Sequence, residues 1–283
     1  MWVDNLPAPL TYRLKHIVFS LRVPFNRLRA VYNTLARKWH GLSSRDRTVW
    51  KTVDLNGPDA YRLCISLLNR PEFEPRRRLF REYAERFGWR VDFWPAVNGL
   101  SLHPDEYKDW IADIQPDEQR PFTPGAIGLL TTTKNIYQWA LERSFEYVVV
   151  LEDDGVIHAS PKVELPQEFD VVFFNNRVQG NLRGEVKHGW GTDGYVISRR
   201  GMAKMLDILE NVNADIDLLM MMYTRSLEER GHHMPQYRDR SKPQLECYHV
   251  GPLVTHAGYL PSSISSVSSE AENAAPASSC VPE

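Results

Sequence analysis

Three stretches of this chain, Val148-Val149-Val150-Leu151, Val171-Val172-Phe173-Phe174 and Tyr195-Val196-Ile197, are unbroken apolar runs rich in β-branched residues. A half-exposed strand alternates apolar with polar; an unbroken run of strand length is covered on both faces. Residues 61–68, 89–94 and 245–256 read as further strands. Helical patterns lie between them. An Arg- and Glu-rich helix spans about 75–87 up to Gly88, and a second starts at Thr123-Pro124 and runs to about Ser144. A third follows residue 198 with Met202, Met205, Leu206 and Leu209 on one face, and a fourth over about 215–230 carries methionines that suit core filling. Buried strands alternating with helices predict an α/β sandwich with a largely parallel sheet.

The predicted domain occupies residues 51–261 of the 283, with residues 39–60 as a polar, turn-prone lead-in. From Ser262 the chain is rich in Ser, Ala, Glu and Pro and predicts a disordered tail, 262–283. Residues 1–50 form an extension. Within 10–38 of it, Leu14, Ile17, Val18, Leu21, Leu28, Tyr32 and Leu35 recur near helical spacing among Lys15, Arg22, Arg27, Arg29, Arg37 and Lys38. Such a helix either lies on an anionic membrane or packs on its own domain. No apolar run is long enough to span a bilayer, and no secretory signal is seen. The net charge of −2 argues against nucleic acid as a partner. Cys64, Cys247 and Cys280 form neither a disulfide framework nor a zinc motif, which suits a reducing, cytoplasmic setting.

The run at 148–151 passes directly into Glu152-Asp153-Asp154-Gly155. Three carboxylates at the end of a buried strand repel one another unless a cation stands among them. Basic side chains or a metal ion can fill that role. Ligands of α/β folds bind beyond the carboxyl ends of the strands. Asn69 and Arg70 stand at another such end, as do Asn175, Asn176 and Arg177. If the strand continues, Glu152 and Asp154 share a face and together suit Mg²⁺ or Mn²⁺. If it turns at Asp153, Asp153 and Asp154 divide the work between a ribose hydroxyl and a metal.

Four blocks then carry a resemblance, in order over about residues 61–260: CISLLNRPEFEPRRRLFREYAERFGWRVDFWPAVNG, TPGAIGLLTTTKNIYQWALERSFEYVVVLEDDGVI, GWGTDGYVISRRGMAKML and DIDLLMM. Together they resemble glycosyltransferase family 25, the lipooligosaccharide and collagen galactosyltransferases. The resemblance implies a GT-A-like, Rossmann-type nucleotide-diphospho-sugar transferase fold, with LEDD as counterpart of the DxD motif. It implies a hexose, such as galactose, passing with inversion from a UDP-sugar to a glycan or lipid-linked acceptor with Mn²⁺ or Mg²⁺ as cofactor. On this reading Glu152, Asp154 and His256 are metal ligands, and Asn69, Arg70, Asp153 and Thr192 bind donor. Asp217, then Asp193, is the base; Asp215 and Asp217 equally suit the N-terminus of a helix. His256 also suits a structural role. Arg76 is a further diphosphate candidate, although Arg76 to Arg78 read as ordinary solvated helix charge. Trp190 suits sugar stacking or the core.

One departure stands out. The family usually carries Ser-His before LEDD, and here Thr132-Thr133 keeps a hydroxyl and loses the imidazole. The implied outcomes are a substitute group, other substrates, or a weakened relative that binds without efficient transfer. A phosphoester hydrolase or nucleotidyltransferase is the remaining alternative for an acidic strand end.

Overall fold

The computed structural model describes residues 48–116, 119–228 and 237–257, with Phe25, Leu28, Val31, Tyr32 and Leu35 before them. The tail from Ser262 and most of residues 10–38 lie outside the described residues. In chain order the elements are β1 (Trp50–Asp54), β2 (Ala60–Ser66), α1 (Glu74–Arg86), β3 (Asp92–Pro95), α2 (Pro124–Leu141), β4 (Tyr147–Glu152) and β5 (Gly155–Ile157). There follow β6 (Lys162–Pro166), β7 (Val171–Asn175), β8 (Gln179–Gly180), β9 (Val186–His188), β10 (Gly194–Ser198) and α3 (Arg199–Ile208). Last come α4 (Ile216–Met222), α5 (Arg225–Glu228) and β11 (Cys247–His256).

Seven strands form one sheet in the order β3-β2-β4-β10-β7-β11-β5. β3, β2 and β4 are mutually parallel and β7 pairs parallel with β11, while β10 is antiparallel to both β4 and β7, and β5 to β11. Five strands therefore share one direction, as the apolar runs predict, and β10 and β5 reverse it to give a mixed sheet. The reversal of β10 has a plain cause. A parallel return needs a long crossover, and between Asn175 and Gly194 the chain forms only the small β8–β9 hairpin. It re-enters from the end at which β7 left.

Alternation along these strands feeds two cores, one on each face. Val148, Val150, Val171, Phe173, Tyr195 and Ile197 pack with α2, α3 and α4, whose Leu219, Met220 and Met221 fill the same layer. Val149, Leu151, Val172, Phe174 and Val196 face the other way, against Phe80 and Ala84 of α1. Double burial is why these strands carry no polar alternation.

Several elements depart from expectation. Trp50–Asp54, within the polar lead-in, pairs antiparallel with β6, and its Trp50 and Val53 pack with Val163 and Leu165. The strand at 89–94 begins only at Asp92, because Trp89 turns into the core and donates its indole N–H to Ala159 O at 2.7 Å. The helix over 215–230 divides where Thr224 donates its hydroxyl to Met220 O at 2.7 Å. At α2, Thr123 caps as expected, its hydroxyl accepting from Ala126 N.

Candidate functional site

The carboxyl ends of β2, β4, β7 and β11 and the start of the reversed β10 lie at one end of the sheet. The acidic run sits at its centre. β4 stops at Glu152, and Asp153 and Asp154 form a turn rather than a continued strand. The pleat that would align Glu152 with Asp154 therefore ends at Glu152, and the turning alternative is the one realised. Gly155 permits it: a Cβ there would lie 2.8 Å from Val254 Cγ1 and 3.1 Å from Glu152 O.

Each acid meets a different partner. Asp153 Oδ2 accepts the Ser66 hydroxyl at 2.5 Å, and its Oδ1 lies 2.5 Å from Arg76 Nη2. The same nitrogen is 3.1 Å from Asp154 Oδ2. Arg76 is only 3% exposed, so the expectation of a solvated helix charge fails. Glu152 Oε1 accepts the Thr192 hydroxyl at 2.5 Å. Asp193, fully buried, is clasped by Arg177, whose Nε donates to Oδ2 at 2.7 Å while Nη2 donates to Oδ1. His256 Nδ1 stands 3.2 Å from Asp193 Oδ1 and 3.8 Å from Asp154 Oδ1. Asn176 fixes the His256 backbone, its Oδ1 accepting from the amide at 2.9 Å. Asp154 Oδ1 is buried and accepts no hydrogen bond.

The environment separates these groups. Burial, with Asp154 and Asp193 nearby, pushes the Glu152 carboxyl well above the carboxylate range. Burial also raises Asp153 against the pull of Arg76, and raises Asp217. Burial opposes ionisation of Asp193 too, but contact with His256 and Arg177 outweighs it and holds that carboxyl low. Contact with Asp193 raises the His256 imidazole in turn.

Asp154, Asp193 and His256 each present a donor atom within 4.8 Å of the others. Two carboxylates and an imidazole suit a divalent cation of the Mn²⁺ class. The fit rests on the orphaned Oδ1 of Asp154, a buried acceptor that costs stability until a donor or cation meets it. Glu152, expected beside Asp154 as a ligand, is outside this trio, and Asp193, expected as a base, is inside it.

Two cavities flank the turn. One is lined by Ser66, Arg76, Val97, Gly99, Glu152 and Asp153. The other is lined by Leu129, Glu152, Arg177, Thr192, Asp215 and Asp217. Glu152 and Leu129 belong to both. Asp153, Thr192 and Asp217 are thus brought to the cavities, whereas Asn69 and Arg70 line neither; Asn69 is exposed, and Arg70 Nε lies 2.5 Å from Glu72 Oε1. Thr132 does not point a group at the acids. Its hydroxyl accepts from Val97 N at 2.8 Å and donates to Gly128 O, clipping the cavity wall to α2. Trp190 is exposed, between Gly189 and Gly191. Gly191 adopts φ +104, and a Cβ there would meet the Arg177 guanidinium at 2.4 Å.

No family model matches the chain. A glycosyltransferase 25 family member from Aedes aegypti is 29% identical over 167 residues, 50% of this chain and 27% of that protein. Another from Drosophila pseudoobscura pseudoobscura is 24% identical over 187 residues, 57% of this chain and 29% of that one. The chain thus spans under a third of the length of the curated relatives it matches. A crystal structure of a glycosyltransferase involved in glycosylation of the PBCV-1 major capsid aligns over 76% of this chain and all of its own, at 11% identity and a TM-score of 0.36. The family likeness rests on the two sequence relatives: over about half its length, this chain is similar to members of glycosyltransferase family 25.

Proposed function

We propose that the chain is a metal-dependent glycosyltransferase that moves a hexose, such as galactose, from a UDP-sugar onto a hydroxyl of a glycan or lipid-linked acceptor, with inversion. The observation that carries this is the buried Asp154 Oδ1, which accepts no hydrogen bond and faces His256 Nδ1 at 3.8 Å where the acidic turn meets Asp193. Asp154, Asp193 and His256 would hold the ion; Asp193 Oδ1, which accepts from Arg177, also faces His256 Nδ1 at 3.2 Å. When bound, a divalent ion there supplies positive charge against a diphosphate leaving group.

The chain's own residues do the rest. The nucleotide half of the donor lies in the cavity of Ser66, Arg76 and Asp153, where Asp153 offers an acceptor to a ribose hydroxyl. The acceptor enters the cavity of Arg177, Thr192 and Asp217. Its hydroxyl oxygen attacks the anomeric carbon, the bond from that carbon to the diphosphate breaks, and the hydroxyl proton passes to Asp217. Burial, which raises the proton affinity of Asp217, suits a general base. Thr192 and Glu152 stay paired on the wall between the two cavities.

Incubation with radiolabelled UDP-hexoses and candidate glycans tests the proposal. Label moving onto the acceptor supports it. Phosphate or nucleotidyl products without sugar transfer would indicate the hydrolase or nucleotidyltransferase alternative, and donor binding without turnover the weakened relative.

We also propose that the N-terminal region meets an anionic membrane at which a lipid-linked acceptor resides. Among the described residues no helix is long and apolar enough to cross a membrane. Phe25, Leu28, Val31, Tyr32 and Leu35 are helical, fall on one stripe and are 58–73% exposed, which speaks against packing on the domain. Between Asp4 and Asp46 the sequence holds no acidic residue. Such a stripe among basic residues suits anionic lipid. Co-sedimentation with anionic vesicles should weaken with salt; equal binding to neutral vesicles would contradict the proposal.

A further inference from the structure

The acidic turn already has a resident cation. Arg76 Nη2 bonds one oxygen of Asp153 at 2.5 Å and one of Asp154 at 3.1 Å. This guanidinium is not a loose surface charge. It is 3% exposed, its carbon lies 5.5 Å from the Phe73 ring centroid, and the neighbouring Arg77 ties the same turn of α1 to Leu67 O at 2.9 Å. Arg76 also lines the first cavity beside Ser66 and Asp153. It therefore contacts the carboxylate whose other oxygen is the free metal donor, and it faces the space assigned above to the donor's nucleotide half.

We infer that Arg76 is a positioning residue that holds the acidic turn in the metal-free protein and opposes entry of a divalent ion until a diphosphate arrives. The inference rests on the metal-dependent reading above and concerns what this chain does towards that ion. A doubly charged ion at Asp154 Oδ1 would stand within a few ångströms of a guanidinium that burial keeps from swinging away, and the two repel strongly in a site shielded from water. A nucleoside diphosphate brings the negative charge that both cations need, and Arg76 offers it charge-assisted hydrogen bonds from the cavity side. Metal and diphosphate then bind as a coupled pair, each raising the affinity of the other by the same factor. The sequence shows three consecutive arginines, Arg76 to Arg78, on one helix; which of them meets the acids is visible only in the fold.

The test is a titration of Mn²⁺, followed by electron paramagnetic resonance, into wild type, Arg76→Gln and Arg76→Lys, each with and without UDP. In wild type, UDP should tighten Mn²⁺ binding by about tenfold or more. Arg76→Gln should bind Mn²⁺ alone about tenfold or more tighter than wild type does, because the competing charge is gone, and should lose much of the coupling to UDP. Arg76→Lys, which keeps the charge, should stay near wild type. An arginine that served only to hold the turn would, on removal, loosen the carboxylates and leave Mn²⁺ affinity unchanged or weaker. A folded Arg76→Gln that binds Mn²⁺ no tighter than wild type overturns the inference while leaving metal dependence standing. Should that variant not fold, wild type decides: Mn²⁺ binding as tight alone as with UDP refutes the inference. Absence of Mn²⁺ binding in every arm, UDP included, removes the metal reading as well.

Discussion

Gly128 lies inside α2, where glycine is ordinarily a weakness. Replacing a helical glycine by alanine normally stabilises by about 1 kcal/mol. Here the sign should reverse. A Cβ on Gly128 would lie 2.4 Å from Val97 O and 2.9 Å from Gly99 N, and Gly99 is itself pressed so closely on α2 that its own Cβ would meet Pro124 O at 1.7 Å. All these neighbours are backbone atoms, so no side chain can rotate away; the Val97–Gly99 loop has to lift. Overpacking of this kind costs about 1–3 kcal/mol, and lifting the loop also strains the hydrogen bond from Val97 N to Thr132 Oγ1, worth about 1 kcal/mol. Set against the helical gain, Gly128→Ala should lose about 1–3 kcal/mol. For a domain of this size that lowers Tm by roughly 3–10 °C. Because Val97 and Gly99 line the first cavity, UDP-sugar affinity should fall with it. Thermal unfolding of both proteins, with calorimetry of donor binding, measures the two effects. An alanine variant as stable as wild type, or more so, would refute the close-packed wall.

Two further expectations are independent of that wall. Asp170 is fully buried, with Arg200 Nε at 2.7 Å, Lys204 Nζ at 2.6 Å and the Glu246 amide at 2.8 Å on its carboxylate. Asp170→Ala should cost about 3 kcal/mol, the low end for a broken buried ion pair because Arg200 reaches water, and a urea midpoint unchanged from wild type would contradict it. Asp217→Asn should lower kcat by about a hundredfold or more while leaving donor affinity intact; an equal loss of donor affinity would move Asp217 from the acceptor side to the donor side.

The strands were legible because burial on both faces writes an unbroken apolar run, and the capped start of α2 because Thr123-Pro124 is a local signal. The direction of β10 is not written in its own residues; it follows from the lack of a crossover before it. Trp50–Asp54 is short and lies on a separate two-stranded sheet, so neither period stands out in it. Arg76, a diphosphate candidate expected to lie in solvent, is instructive because it is buried. Phe73, Arg76, Arg77, Phe80 and Ala84 are the buried residues at the start and along the face of α1, spaced as one helical stripe. Their phase separates Arg76 and Arg77 from the exposed Arg78, although charge on a helix ordinarily means exposure. Glu152 and Asp154 do not share a face for a local reason: the pleat holds only while the strand continues, and the strand stops at Glu152. Asn69 and Arg70 follow a strand as site residues do, but Asn69 is exposed, Arg70 pairs with Glu72, and neither lines either cavity.

On the function proposed above, Asp154, with a buried oxygen that accepts no hydrogen bond, holds a divalent ion against a diphosphate. Asp154→Asn keeps the size of the side chain and removes its charge. The direct measurement is calorimetric titration of a UDP-hexose into wild type and Asp154→Asn, each in Mn²⁺ and in chelator, with unfolding curves to show that both are folded. Wild type should bind the donor in Mn²⁺ and lose most of that affinity in chelator, whereas Asp154→Asn should bind weakly and equally in both. Four equal affinities, or an Asp154→Asn protein that loses stability while keeping Mn²⁺-dependent binding, would leave Asp154 as no more than a structural partner of Arg76.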